Sequence, residues 1–158
     1  MSIKEYNQFF LEQAGKSENI KMTIHIKRKR HFAGSLIPYY CVFGMGREAF
    51  MAYCDKVYND CQGYEEDEDN DESVPTVFEL LKTLVEDGRI KRVIRIFFGK
   101  TMTLELSDDE CHFFAFVDSK PEFAFSNQIN IQSGNDCAFE IETKYHWKTG
   151  MSLSLERK

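Results

Sequence analysis

The chain has 158 residues, of which 42% are hydrophobic and 14% aromatic, and its formal net charge at pH 7 is −6. This size predicts one globular domain spanning residues 1–158, and no apolar run approaches the ~20 residues of a membrane-spanning helix. The negative charge argues against general affinity for nucleic acids or anionic membranes. The five cysteines are an odd, scattered set typical of reduced thiols, and no secretory signal pattern is present. The prediction is therefore a cytoplasmic protein.

The first predicted elements are a helix and a pair of strands. Residues 2–14 have an amphipathic pattern, and Ser2 and Glu5 have the spacing of a capping box. The chain is predicted to be extended over residues 22–44. Within that stretch, residues 36–43 are apolar at both parities, which is typical of a strand covered on both faces.

Residues 47–88 are predicted to form a helical, acidic insertion within the β domain. Apolar residues recur at helical spacing over residues 47–61, so a helix is favoured there, with a short strand as the alternative. Residues 65–72 are strongly acidic, which predicts a solvated loop. A second helix is predicted to begin at the capping pair Thr76 and Glu79.

The last third of the chain alternates between apolar and polar residues, segment after segment. The apolar members are Met102, Leu104, Leu106, Phe123, Phe125, Ile129, Ile131, Cys137, Phe139, Ile141, Met151, Leu153 and Leu155. A period of two places each apolar set on one face of a half-buried strand. Short strands separated by turn residues predict a mainly β fold, either a sandwich or a barrel.

Several segments, which together cover about half of the chain, resemble the small PEGA-like β-sandwich domains of bacteria. They are residues 24–30, 32–35, 39–43, 99–101, 104–106, 112–114, 126–127 and 129–131. The resemblance implies an immunoglobulin-like antiparallel β-sandwich that serves as an accessory or interaction module. It implies no catalytic residues, and the predicted insertion is foreign to the compact form of the family.

No catalytic, cofactor or metal site is predicted. Asp67, Asp69 and Asp71 have the spacing of a calcium loop, but Glu72 replaces the required glycine and Phe78 replaces the final glutamate. The cysteines and histidines lack the close spacing of zinc ligands. No nucleophile elbow or phosphate-binding glycine loop is present. A cysteine-dependent enzyme, built from a cysteine and a histidine that meet only in the folded chain, stays as an alternative.

The candidates for partner contact are a basic stretch and an aromatic turn. These residues are Lys27, Arg28, Lys29, Arg30, Tyr145 and Trp147. The basic stretch is predicted to be a solvated strand end, with phosphate or an acidic partner as the alternative ligand. The predicted function is a non-catalytic intracellular accessory or protein–protein interaction module. A carbohydrate-binding module that uses the surface aromatics is the alternative, and homo-oligomerisation is left open.

Overall fold

The computed structural model describes residues 22–29, 37–61, 75–97, 99–118, 123–131, 137–148 and 150–158. The predicted helix over residues 2–14, the acidic run over residues 65–72 and the candidate contact Arg30 lie outside these described residues. Those three assignments therefore stay predictions.

The described residues form a mainly β structure, as the alternating pattern predicts. The strands are β1 (Met22–Arg28), β2 (Tyr39–Phe43), β3 (Arg92–Ile96), β4 (Thr101–Leu106), β5 (His112–Asp118), β6 (Phe123–Phe125), β7 (Ile129–Asn130), β8 (Cys137–His146) and β9 (Gly150–Arg157). The helices are α1 (Arg47–Cys61) and α2 (Val77–Glu86), so the helical assignment of residues 47–61 is confirmed and the competing strand is wrong.

The strands form two sheets. Sheet A has the order β4-β1-β8-β9, and sheet B has the order β3-β2-β5-β6, with β7 also paired to β5. The strand pairs are antiparallel apart from β1 and β8, which are parallel with Ile24 opposite Cys137. The prediction of a purely antiparallel sandwich is wrong at that pair. Strands so far apart along the chain are not joined by a tight turn, so nothing local forces them to run antiparallel.

The inner faces of the two sheets enclose one hydrophobic cluster, so the sheets pack face to face. Leu104 of β4 and Leu153 of β9 are buried in it, whereas the neighbouring Thr103 and Ser152 are exposed. The alternation in the sequence therefore records which side chains of sheet A enter the core.

The two helices cover the opposite face of sheet B. Phe50 of α1 and Leu81 of α2 pack there against residues of β2 and β5, including Val42 and Phe114. Because β2 contributes Cys41 to the core between the sheets and Val42 to the layer under the helices, both of its faces are buried. This explains its apolar run at both parities.

The start of α2 has the predicted capping box. The Glu79 backbone N–H donates to Thr76 Oγ1 at 3.2 Å, and the Thr76 backbone N–H donates to Glu79 Oε2 at 3.1 Å. An N-cap of this kind stabilises a helix by about 1 kcal/mol. The cap fixes where α2 begins.

A buried ion pair joins the two sheets at one end. The Arg92 guanidinium, at the start of β3, lies 2.5 Å (Nε) and 2.9 Å (Nη2) from the carboxylate oxygens of Glu110, in the short 3₁₀ helix after β4. Arg92 Nη2 also donates to the Glu105 carbonyl at 3.2 Å. Arg92 is 1% exposed and Glu110 is 4% exposed. The ion pair thus connects the first residue of β3, in sheet B, to the segment that follows β4 of sheet A.

Candidate functional site

The β8–β9 hairpin extends beyond the core and carries the most exposed aromatic side chains of the described residues. Thr143 and Leu153 face each other as a buried pair, and the next pair on that face, Tyr145 and Met151, lies at the end of the core, where Met151 still packs against it but Tyr145 does not. Tyr145 is consequently 59% exposed, and Trp147 in the turn is 77% exposed. Alternation predicts which way Tyr145 points, but not that the core has ended there.

The turn holds its aromatic rings next to a cation. The His146 and Trp147 rings are nearly parallel, with an interplanar angle of 18° and centroids 6.2 Å apart. Lys148 Nζ lies 4.9 Å from the centre of the Trp147 ring, within the range of a cation–π contact. Gly150 closes the turn with φ +84°, a conformation that glycine adopts without strain. We call Tyr145, His146, Trp147 and Lys148 the aromatic tip.

Arg28 is not a surface residue, which corrects its place among the candidate contacts. It shares the inward parity of Ile24 and Ile26 and is 3% exposed. Its guanidinium lies 3.6 Å from the centre of the Tyr39 ring, and its Nη1 donates to the Ile96 carbonyl at 3.2 Å. Desolvation by burial lowers the pKa of this guanidinium, and the neighbouring Tyr39 partly offsets that effect. Arg28 therefore supports the core rather than presenting charge to a partner.

Lys27 and Lys29 point the other way and are exposed on the outer face of sheet A. The Lys29 backbone N–H donates to the Ile141 carbonyl of β8 at 3.2 Å. Tyr39, which stacks on Arg28, hydrogen-bonds through its hydroxyl to Thr143 Oγ1 at 2.7 Å, two residues before Tyr145. The end of β1 and the aromatic tip therefore lie at the same end of the fold, although they are far apart in the sequence.

Further lysines at this end were not singled out by the sequence. Lys100 precedes β4, and Lys144 lies on β8 next to Tyr145; both are exposed. The described acids at this end, Glu142 and Asp118, are half-buried. Single lysines between strand signals give no sign of clustering, because the sheet order brings them together only in the folded chain.

Cys41 and Cys54 have the electrostatics of core side chains. Burial raises the pKa of both Cys41 and Cys54 from 9.0 to about 12, and the nearby Asp55 adds to the effect on Cys54. A thiol acts as a nucleophile through its thiolate, which is scarce at such a pKa. These two positions do not favour a cysteine-dependent enzyme. The described residues contain no cluster of three or more histidine, cysteine, aspartate or glutamate side chains that could hold a metal ion.

Alkylation by iodoacetamide at mildly alkaline pH tests the two buried thiols. The raised pKa lowers the thiolate fraction roughly a thousandfold, so Cys41 and Cys54 are expected to react far more slowly in the native chain than in urea. The half-buried Cys111 serves as the internal comparison in a peptide-resolved mass measurement. Because folding raises both pKa values, their contribution to stability is full below pH 9 and is lost as the pH rises towards about 12. Rapid native labelling of Cys41 would contradict this assignment.

No family model matches the chain, and no curated protein matches it either. Among solved structures, the fold is similar to the crystal structure of the T6SS lipoprotein TssJ1 from Pseudomonas aeruginosa, with 7% sequence identity and a TM-score of 0.43. The match covers 89% of this chain and 98% of that one. It supports no statement about function.

The predicted cytoplasmic location is contradicted by this match, because the matched protein is a lipoprotein. The cytoplasmic location is withdrawn, and no other location replaces it. In the part of the chain that the structure describes, neither helix combines the length and apolar character needed to cross a membrane.

Proposed function

We propose that the protein is a non-catalytic interaction module whose aromatic tip, together with the neighbouring lysines, binds an acidic segment of a partner protein. The observation that carries this proposal is the exposure of Trp147, 77%, on a hairpin that also exposes Tyr145. Large aromatic side chains left in water are unusual on a surface and are the residues that most often anchor protein interfaces. Burying them against a partner would recover about 25 cal/mol for each Å² removed from water.

Charge favours an acidic partner. The chain has a formal net charge of −6, yet the tip carries Lys148 and lies at the same end as Lys29, Lys100 and Lys144. A local excess of exposed lysines on an acidic protein steers acidic segments towards that end and repels basic ones. Each exposed ion pair adds about 0.2–1 kcal/mol, so the lysines supply orientation and selectivity while the aromatic side chains supply most of the affinity.

The carbohydrate-binding alternative has less support. A sugar ring stacks on an open aromatic face, but the His146 ring lies nearly parallel to Trp147 and the Lys148 ammonium lies 4.9 Å from its centre. A neutral sugar gains no ionic contact with this ammonium. An acidic peptide would instead gain a contact with the Lys148 ammonium.

For the architecture, we propose a single domain of the immunoglobulin-like type that the resemblance to PEGA-like domains implies. The packing of α1 and α2 on sheet B through Phe50 and Leu81 supports treating residues 47–88 as an insertion in that domain. A measured structure that assigns the two helices to a separate body would argue against this proposal.

Replacing Trp147 by alanine is expected to weaken binding of an acidic peptide about 30-fold, the effect of losing an interface anchor worth about 2 kcal/mol. The probe is a fluorescein-labelled peptide that alternates glutamate with leucine, followed by anisotropy. Because Trp147 is the only tryptophan in the chain, its own emission reports binding to the unchanged protein. Unfolding free energy should change by less than about 0.5 kcal/mol, since the side chain is exposed.

Val57→Ala is the control, because Val57 is an uncharged, half-buried residue of α1, which packs on the face of sheet B away from sheet A and its hairpin. Lys29→Glu is expected to weaken binding several-fold and to reduce its salt dependence. Equal affinity of Trp147→Ala and the unchanged chain would contradict the proposal, as would equal binding of a peptide in which lysine replaces every glutamate.

A further inference from the structure

One edge of sheet A has its backbone groups directed outward. Among the described residues, β4 lies at the edge of sheet A and pairs with β1 alone. The Arg28 N–H donates to the Lys100 carbonyl at 3.1 Å. This hydrogen bond shows that the even-numbered residues of β4 direct their backbone N–H and C=O groups towards β1. The Glu105 carbonyl accepts from Arg92 on the other side. Because the direction alternates along a strand, Thr101, Thr103 and Glu105 direct their N–H and C=O groups away from the sheet.

At the opposite edge of sheet A, formed by β9, a side chain occupies outward backbone groups. On β9, the Asn127 amide donates to the Leu155 carbonyl at 3.1 Å and accepts from the Leu155 N–H at 2.9 Å. This side chain occupies both outward groups of Leu155 and so obstructs an added strand. Within the described part of the chain, no side chain makes such contacts with the backbone of Thr101 or Thr103. Both threonines are exposed, and β-branched residues favour strand pairing.

The outward edge has opposite charges at its two ends. Lys100 is exposed immediately before β4, and Asp108 and Asp109 are exposed beyond its other end, after Ser107. On the outer face, Lys27 of β1 is the cross-strand partner of Thr101 of β4, whereas Glu105 lies at the other end of β4. An edge of this kind attracts an identical edge that runs in the opposite direction, because each basic end then meets an acidic end.

We propose that a second copy of this chain pairs its β4 antiparallel to this one, centred on Thr103. Thr103 of each copy then faces Thr103 of the other, and Thr101 faces Glu105 of the second copy. Outward-facing residues in such pairs exchange two hydrogen bonds per pair. The Glu105 carbonyl contributes the lone pair that Arg92 leaves open. Lys27 lies in the same row as Glu105 of the second copy, about 10 Å away between backbones, within the combined reach of the two side chains.

The resulting dimer has a twofold axis and one sheet that runs through both copies, a closed arrangement that does not propagate into a fibre. It uses a different edge from the hairpin that carries the aromatic tip. The dimer therefore goes beyond the proposed function, and either can fail without the other.

Light scattering coupled to size exclusion, over a range of concentrations of the full chain, tests the dimer. The unchanged chain is expected to approach twice the monomer mass as its concentration rises. Thr103→Pro removes an outward donor from each copy but no backbone hydrogen bond to β1, and proline is tolerated at such edge positions. This variant is expected to raise the dimer dissociation constant roughly tenfold or more. Thr103→Val keeps the N–H and is the matched control, expected to stay within about threefold. The proline and valine variants both lose the side-chain contact between Thr103 Oγ1 and His25 Nδ1 of β1, at 3.0 Å, so this loss cancels in their comparison.

A charge exchange keeps the test decisive if the proline variant folds poorly. Lys100→Glu is expected to weaken the dimer, and Lys100→Glu combined with Asp108→Lys is expected to restore it, because both ends have then changed sign. Circular dichroism confirms that each variant is folded. A chain that stays monomeric at every concentration overturns the proposal. So does a dimer that a folded Thr103→Pro leaves unchanged, or one that the single and double charge variants affect equally.

Discussion

Replacing Glu110 by alanine is expected to lower the free energy of unfolding by about 3–5 kcal/mol, the effect of breaking a buried ion pair by removing one partner. The carboxylate is 4% exposed and lies 2.5 Å from Nε of Arg92, which is itself 1% exposed. Removing it leaves a buried guanidinium without this partner. The Ser107 backbone N–H also loses its acceptor, at 3.0 Å, whereas the Ser107 hydroxyl keeps Asp109 Oδ1 as an acceptor at 2.5 Å. Urea denaturation followed by circular dichroism measures the loss.

A surface ion pair provides the matched control. Arg47 Nη1 and Glu48 Oε1 lie 2.6 Å apart, but the Glu48 side chain is 83% exposed. Glu48→Ala should therefore cost no more than about 1 kcal/mol. The double variant Arg92→Met/Glu110→Leu removes both charges together and is expected to recover most of the stability. A loss below about 1 kcal/mol for Glu110→Ala would mean that solvent reaches the pair.

Phe50→Ala is expected to cost about 3–5 kcal/mol, because the ring is fully buried between α1 and sheet B. Its centroid lies 5.0 Å from that of Phe116, 5.4 Å from that of Phe114 and 6.0 Å from that of Phe125. Truncation removes these ring contacts and leaves a cavity in the layer under the helices. Thermal and urea unfolding of the variant measure the loss.

Lys56→Ala, on the exposed side of the same helix, should stay within about 0.5 kcal/mol of the unchanged chain. The Phe50 experiment also bears on the domain proposal. If the helices and the sheets form one domain, Phe50→Ala lowers a single transition that the sheet and helix signals share. Two separate transitions, with only the helical one affected, would show that residues 47–88 fold independently.

Patterns local to one strand or helix carried the successful predictions. The alternation of Leu104 with Thr103, and of Leu153 with Ser152, reports burial directly, because the backbone of a strand turns each side chain to the opposite face. The capping pair Thr76 and Glu79 likewise places the start of α2 through contacts three residues apart. No knowledge of the rest of the fold is needed for either inference.

The missed features depend on residues far apart in the sequence. Arg28 shares its parity with Ile26, so its inward direction could be predicted, but the Tyr39 ring that receives its guanidinium is placed there by sheet packing. The parallel pairing of β1 with β8 has no hairpin signal. The placement of Lys29 at the same end of the fold as the aromatic tip follows from that pairing, and so it could not be derived from either segment alone.

The burial of β2 on both faces makes this strand the segment least tolerant of substitution. Every residue from Tyr39 to Phe43 is buried, so none of them can change size or acquire a charge without disturbing one of the two clusters. On β4, by contrast, Thr101, Thr103 and Glu105 are exposed between core residues. Side-chain substitutions at these alternate positions of β4 therefore leave the hydrophobic core intact and act on the proposed dimer edge, while β2 accepts none.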